Sequence, residues 1–273
     1  MLEKHAKYPP SSSHLWLSCP HSELITSKLP EEEESEASKE GTRLHEVMEK
    51  FLKKRTFNYF NKKNKHTYND FLKDVQGGKK IAPLERGRMT SNLFKCMCEL
   101  HAQAQRDLEG FFGKDRFMLV YYEERVDMKG VIKDCWGTAD LTIITPLSIY
   151  TCDYKFGRVK VDPQTPQLNM YSIGSYQKHV LPRIKDFPEL HNVFNVILQP
   201  KLYATPKYYE YDVKWLLEIE KISHKHAKKN LLPKVKRKPI TGTHCEKYAK
   251  CRPYCDVYNK KNLKEIKKAF GKI

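Results

Sequence analysis

Apolar residues first recur at helical spacing in 42-TRLHEVMEKFLKKR-55, where Leu44, Val47, Met48, Phe51 and Leu52 form one stripe among charged positions. That period predicts an amphipathic helix. The preceding 31-EEEESEASKEG-41 is acidic and polar, and it gives way to the helical pattern at residue 42. Residues 56–82 are rich in Asn and Lys and carry a Gly77-Gly78 breaker, so they read as an insertion or loosely packed region. Helical periodicity resumes in 84-LERGRMTSNLFKCMCELHAQAQRDLEGFF-112.

The pattern then changes to β-branched and aromatic residues in 116-RFMLVYYEERVD-127, 135-CWGTADLTIIT-145 and 148-SIYTCDYKFG-157. Three antiparallel strands are predicted. A helix follows over 166-PQLNMYSIGSYQKHV-180, with Thr165 as its cap and Pro166 in its first position. Strands over 193–200 and 208–213 come next, then a helix over 214–229, a basic linker and a cysteine-rich segment. This order predicts one domain of α/β (mixed α+β) class, with helical additions to its core. Residues 1–115 would be its mainly helical part, 116–213 its sheet and supporting helix, and 214–273 its C-terminal helix, linker and cysteine cluster.

Charge narrows the partner. The net charge is +17, and basic runs recur in 53-KKR-55, 62-KKNK-65, 234-KVKRK-238 and 264-KEIKKAFGK-272. Such a balance suits a polyanion, most often nucleic acid. No apolar run approaches membrane-spanning length and 1-MLEKHAKYPP-10 lacks a signal-peptide core, so a cytoplasmic protein with no membrane partner is expected. Eight cysteines then read as thiols or metal ligands rather than disulfides. Cys96, Cys98, Cys135 and Cys152 lie in apolar periodic segments, as core residues do. Cys19, Cys245, Cys251 and Cys255 lie in irregular sequence toward the two ends.

The turn 145-TPLS-148 brings chemistry into view. If it is symmetric about Pro146-Leu147, Asp140 falls opposite Asp153, with Cβ atoms roughly 4.5–5.5 Å apart. Two carboxylates so close call for a neutralising cation, and oxygen ligands favour Mg²⁺ or Mn²⁺. Strand alternation puts Lys155 on the same face as Asp153. Carboxylates holding a metal beside an ammonium suit phosphodiester hydrolysis. Gln167 and Tyr171, at i and i+4, share one helical face. In the upstream strand, Glu123 or Glu124 could orient water or a ligand, with Glu124 the candidate supporting acid.

Together, 19-CPHS-22, 41-GTRLHEVME-49, 137-GTADL-141, 153-DYK-155, 167-QLNMY-171 and the terminal cysteines resemble the PD-(D/E)XK nuclease superfamily, especially its RecB-like, CRISPR-associated exonuclease branch and phage-type relatives. The resemblance implies a restriction-endonuclease-like core, with a central mixed sheet flanked by helices, and a metal-dependent DNA exonuclease of recombination, repair or phage DNA processing. By position, it implies His45, Asp140, Asp153 and the Tyr154 carbonyl as metal ligands, Lys155 as the catalytic lysine, and Gln167 and Tyr171 as supports for the site and DNA. It further implies DNA ends or single strands as partner, with little sequence specificity, and a recombination protein or helicase as a candidate second partner. A [4Fe–4S] cluster on Cys19, Cys245, Cys251 and Cys255 is implied as well. The spacing here is C-x5-C-x3-C, where the family commonly shows C-x2-C-x5-C with its second cysteine at the position of Tyr248. Zinc, with His21 or His244 as a further donor, is the alternative occupant. The competing function is a non-catalytic nucleic-acid-binding accessory protein on the same fold.

Overall fold

A computed structural model describes residues 6–30, 35–63, 65–76, 88–113, 116–246 and 249–270. Five strands form one sheet in the order β1 (Leu119–Asp127), β2 (Trp136–Ile144), β3 (Ser148–Tyr154), β4 (Asn192–Leu198) and β5 (Lys207–Asp212). β3 and β4 are parallel and every other pair is antiparallel, so the expected mixed sheet is present. The single parallel pair follows from the long connection between β3 and β4, which must carry a helix across the sheet.

Helices cover both faces. On one side lie α3 (Glu36–Arg55), α4 (Tyr68–Gln76) and α5 (Arg88–Gly110), after the short α1 (Ser13–Trp16) and α2 (Ser22–Thr26). Leu44, Met48 and Phe51 of α3 and Leu93, Met97 and Leu100 of α5 pack with Tyr150, Cys152 and Tyr154. On the other side, α6 (Pro166–Ser175) and α7 (Val213–Ala227) pack Met170, Ile173 and Leu216 on Ile144, Ile149 and Val193. Every residue of β3 is buried, as a strand covered on both faces must be. A last helix, α8 (Asp256–Phe270), follows the cysteines. Among the described residues no helix is long and apolar enough to cross a membrane.

Three expectations change. The acidic lead-in belongs to α3 from Glu36 onward, because Ser35 caps it by accepting a hydrogen bond from the Ser38 amide, and Glu36 suits the first turn. Phe57–Phe60 and Tyr68–Gln76 are not loosely packed. Phe57, Phe60 and Phe71 are fully buried, and Phe71 meets Phe51 edge-on at 5.0 Å, so a few large rings build a core that the polar composition hid. The Gly77-Gly78 breaker and residues 84–87 of the expected second long helix lie outside the described residues. Third, the helix expected over 166–180 is α-helical only to Ser175 and continues as a π-turn over Tyr176–Val180. The remaining elements fall within a few residues of their expected bounds, and Cys96, Cys135 and Cys152 are buried core thiols, with Cys98 half-buried beside them.

Candidate metal centre

The turn at Thr145–Ser148 pairs Ile144 with Ile149 and Leu141 with Cys152, and the same register carries Asp140 opposite Asp153. Asp140 Oδ2 accepts a hydrogen bond from the Tyr154 amide at 2.7 Å, locking the two strands where the acids meet. Tyr154 otherwise turns its ring to the opposite face, against Met97. The acids thus stand at the C-terminal end of β3, beside the parallel pair, where open α/β sheets hold their ligands.

α3 brings His45 to the same place. Its Nδ1 lies 3.4 Å from Asp140 Oδ2 and 3.8 Å from Glu123 Oε1, and its ring packs edge-on against Tyr154 and Phe156. The ligand atoms of His45, Glu123 and Asp140 all lie within 4.8 Å of one another. For bonds of about 2.1 Å, octahedral ligands stand about 3.0 Å apart when adjacent and about 4.2 Å apart when opposite. The two measured separations fall inside that window, so one imidazole and two carboxylates here fit a divalent cation.

Glu123 is the member that sequence reasoning placed less well than its neighbour. Tyr122 pairs with Leu141 and Glu124 with Ala139, which sets Glu123 opposite Asp140 across β1 and β2. It has a φ of 45°, a left-handed conformation that costs a glutamate about 1–2 kcal/mol. Among the described residues no donor lies within hydrogen-bond range of its buried Oε1, the His45 nitrogen standing at 3.8 Å. Strain and an uncommitted carboxylate oxygen coincide beside two other donors, as expected of a ligand position. Glu124, the acid expected to support the site, instead turns to the α6 side, where it accepts hydrogen bonds from Lys178 and His179. The loop between β1 and β2 is too long to fix register from sequence, which is why the two glutamates could not be told apart.

Asp153 stands next to this group and holds the other machinery. It is 4% exposed, its Oδ2 lies 2.7 Å from Lys155 Nζ, and its Oδ1 accepts a hydrogen bond from Gln167 Nε2 at 3.3 Å. Gln167 reaches it because α6 starts at Thr165, whose side chain caps the Leu168 amide. A buried polar network fixes the rotation of α6: the Ser172 hydroxyl bonds Thr151 and Asn195, and Asn195 Nδ2 donates to Asn169. Tyr171 packs its ring in the core on this side, close over Gly137, where a Cβ would lie 3.0 Å from the ring.

Electrostatics follow from crowding acids in a dry cleft. Burial first, and then the charge of Asp153, raise the Asp140 carboxyl well above the usual carboxylate range. Burial would lower His45 and Lys155, but neighbouring carboxylates outweigh it and raise both. Burial, then Asp153 and Asp140, raise the Tyr171 phenol. The raised Asp140 carboxyl reflects burial and carboxylate repulsion, which a bound divalent cation would relieve.

The four outlying cysteines also gather. Cys19, Cys245 and Cys251 are buried and Cys255 is half-buried. Burial raises the Cys251 thiol, and Cys19, Cys245 and Cys255 each raise it further, as neighbours would. The Cys19 sulfur accepts a hydrogen bond from the Ile240 amide, and His244 Nε2 pairs with the Ile240 carbonyl. His21 pairs with the Arg237 carbonyl instead. Tyr248 lies outside the described residues.

The profile of a family described as "Protein of unknown function (DUF2800)" matches residues 5–273. The chain belongs to the DUF2800 family. The match spans both the metal centre and the cysteine group, so in this DUF2800 protein the two features lie within one family unit.

Proposed function

We propose that this protein is a Mg²⁺- or Mn²⁺-dependent DNA nuclease of the PD-(D/E)XK, RecB-like kind, acting as an exonuclease on DNA ends or single strands. One observation carries the reading: His45, Glu123 and Asp140 converge within 4.8 Å beside a lysine held on a further, buried aspartate. An ordinary surface ion pair has no use for three more donors in the same cleft.

His45, Glu123 and Asp140 would hold the ion, with Asp153 adjacent. When bound, a divalent cation lowers the pKa of its water and neutralises phosphoryl oxygens. The chain's own groups do the positioning. Asp153 keeps Lys155 protonated and aimed, so the ammonium can orient the attacking water or stabilise charge that develops on the phosphate. Gln167 holds the second oxygen of Asp153 and prevents its rotation. The +17 net charge supports binding to a phosphate backbone.

The same reading assigns a [4Fe–4S] cluster to Cys19, Cys245, Cys251 and Cys255, since four gathered thiols match its ligand set. Zinc is the competing occupant of such a set. The test of activity is cleavage of linear single- and double-stranded DNA with Mn²⁺. Asp153→Asn and Lys155→Ala should each lower the rate by about 10²–10³-fold. Undiminished cleavage by both variants overturns the assignment.

A further inference from the structure

The chain leaves β3 at Lys155 and reaches the cap of α6 at Thr165 through a loop flanked by Lys155 and Gln167, both of which contact Asp153. Arg158, Val159 and Lys160 of this loop are exposed, and Val159 is 61% exposed. Such a loop would ordinarily be soft. Here its backbone is clamped by Gln199, a fully buried side chain just past the end of β4. Gln199 Nε2 donates to the carbonyls of Gly157 at 3.0 Å and Val159 at 2.7 Å, and its Oε1 accepts from the Val161 amide at 3.2 Å. The Lys155 amide also donates to the Leu198 carbonyl, so the clamp and the lysine share one strand end.

Fixing a buried glutamine costs side-chain entropy. The clamp does not bring the three exposed side chains into the core. What it does is hold the backbone that carries two cations and an exposed apolar side chain soon after Lys155. Holding a binding element in its bound shape lowers the cost of association.

We propose that residues 157–161 are a rigid holder for a nucleic-acid strand, and that Gln199 is its positioning residue. Arg158 and Lys160 contact successive phosphates, and Val159 packs against a base or sugar between them. The strand is thereby led past Asp153 and Lys155. This inference rests on the nucleic-acid reading of the neighbouring centre.

The experiment measures binding of a fluorescent single-stranded oligonucleotide in EDTA, where no cleavage occurs, across a salt series. The wild type is compared with the double variant Arg158→Glu/Lys160→Glu and with Gln199→Leu, which keeps the volume and loses the clamp. The double variant should bind about tenfold more weakly or worse, and its log–log salt slope should be shallower by about 1.4, the value for two phosphate contacts on a single strand. In the same assay Gln199→Leu should bind the strand several-fold more weakly with the wild-type salt slope, since both cations remain; wild-type affinity in Gln199→Leu overturns its positioning role. Wild-type affinity and slope in the double variant overturn the loop, and if that wild type cleaves DNA, the nuclease reading stands. A wild type that binds the strand but never cleaves it removes the nuclease reading and leaves the binding result intact. A wild type that does not bind removes both.

Discussion

Glu123 adopts a strained backbone and presents an oxygen without a partner to His45 and Asp140, while Glu124, one residue on, is committed to Lys178 and His179. The isosteric Glu123→Gln should weaken Mn²⁺ binding at least about tenfold in calorimetric titration, with Glu124→Gln equal to wild type. The reverse order of effects would return the role to Glu124. A second residue predicts pH dependence. His101 is buried against Phe57, its Nε2 has no hydrogen-bond partner, and burial pushes its pKa down to about 4. The folded state therefore binds fewer protons than the unfolded state between about pH 6.5 and 4. Stability is complete above that window and falls as pH drops through it, by about 3 kcal/mol for this one group. In urea unfolding at pH 7 and pH 4.5, His101→Phe should lose less stability than wild type; equal losses would show that His101 is not responsible. At this scale the opposed aspartates were readable because a two-residue turn fixes register. His45 needed a family resemblance, since a histidine beside an apolar stripe is common.

The element least visible in the sequence is α4 with the turn before it. Its apolar residues are few, but Phe60 and Phe71 meet Phe51 and Phe94 ring against ring, and Phe57 meets Phe60. Burial by large aromatics depends on a partner surface that no local period announces. Phe71→Ala should cost about 3–5 kcal/mol in urea unfolding; a loss under about 1 kcal/mol would restore the picture of a loose insertion. α3, by contrast, was legible from its stripe, and only its start was hidden, since an acidic run resembles a linker until Ser35 is seen to cap it. The break of α6 into a π-turn was not legible either. There Gly174 lets the helix approach the sheet so closely that a Cβ would lie 2.8 Å from Met128 and 2.9 Å from Val126, a tertiary contact.

Across the whole molecule, the segment after α7 folds back on the N-terminal helices. Arg237 Nη1 pairs with Glu23 at 2.9 Å, Asn230 donates to the Trp16 carbonyl, and Leu15 packs with Ala249 and Cys251. The mixed sheet and its order of elements could be read from the sequence, because strand and helix periods alternate cleanly after residue 115. The docking of residues 234–255 could be anticipated only through the cysteines. Anaerobically purified protein should contain about four iron atoms per chain and show iron–sulfur absorption in the visible, both lost in Cys251→Ala; one zinc and no colour would assign the group to zinc. The central claim, metal-dependent hydrolysis of DNA, is tested most directly by incubating linear DNA with the wild-type protein and with Asp140→Asn, each in Mn²⁺ and in EDTA. Degradation is expected only from the wild type in Mn²⁺. Intact DNA in every tube, or equal degradation by Asp140→Asn, would contradict it.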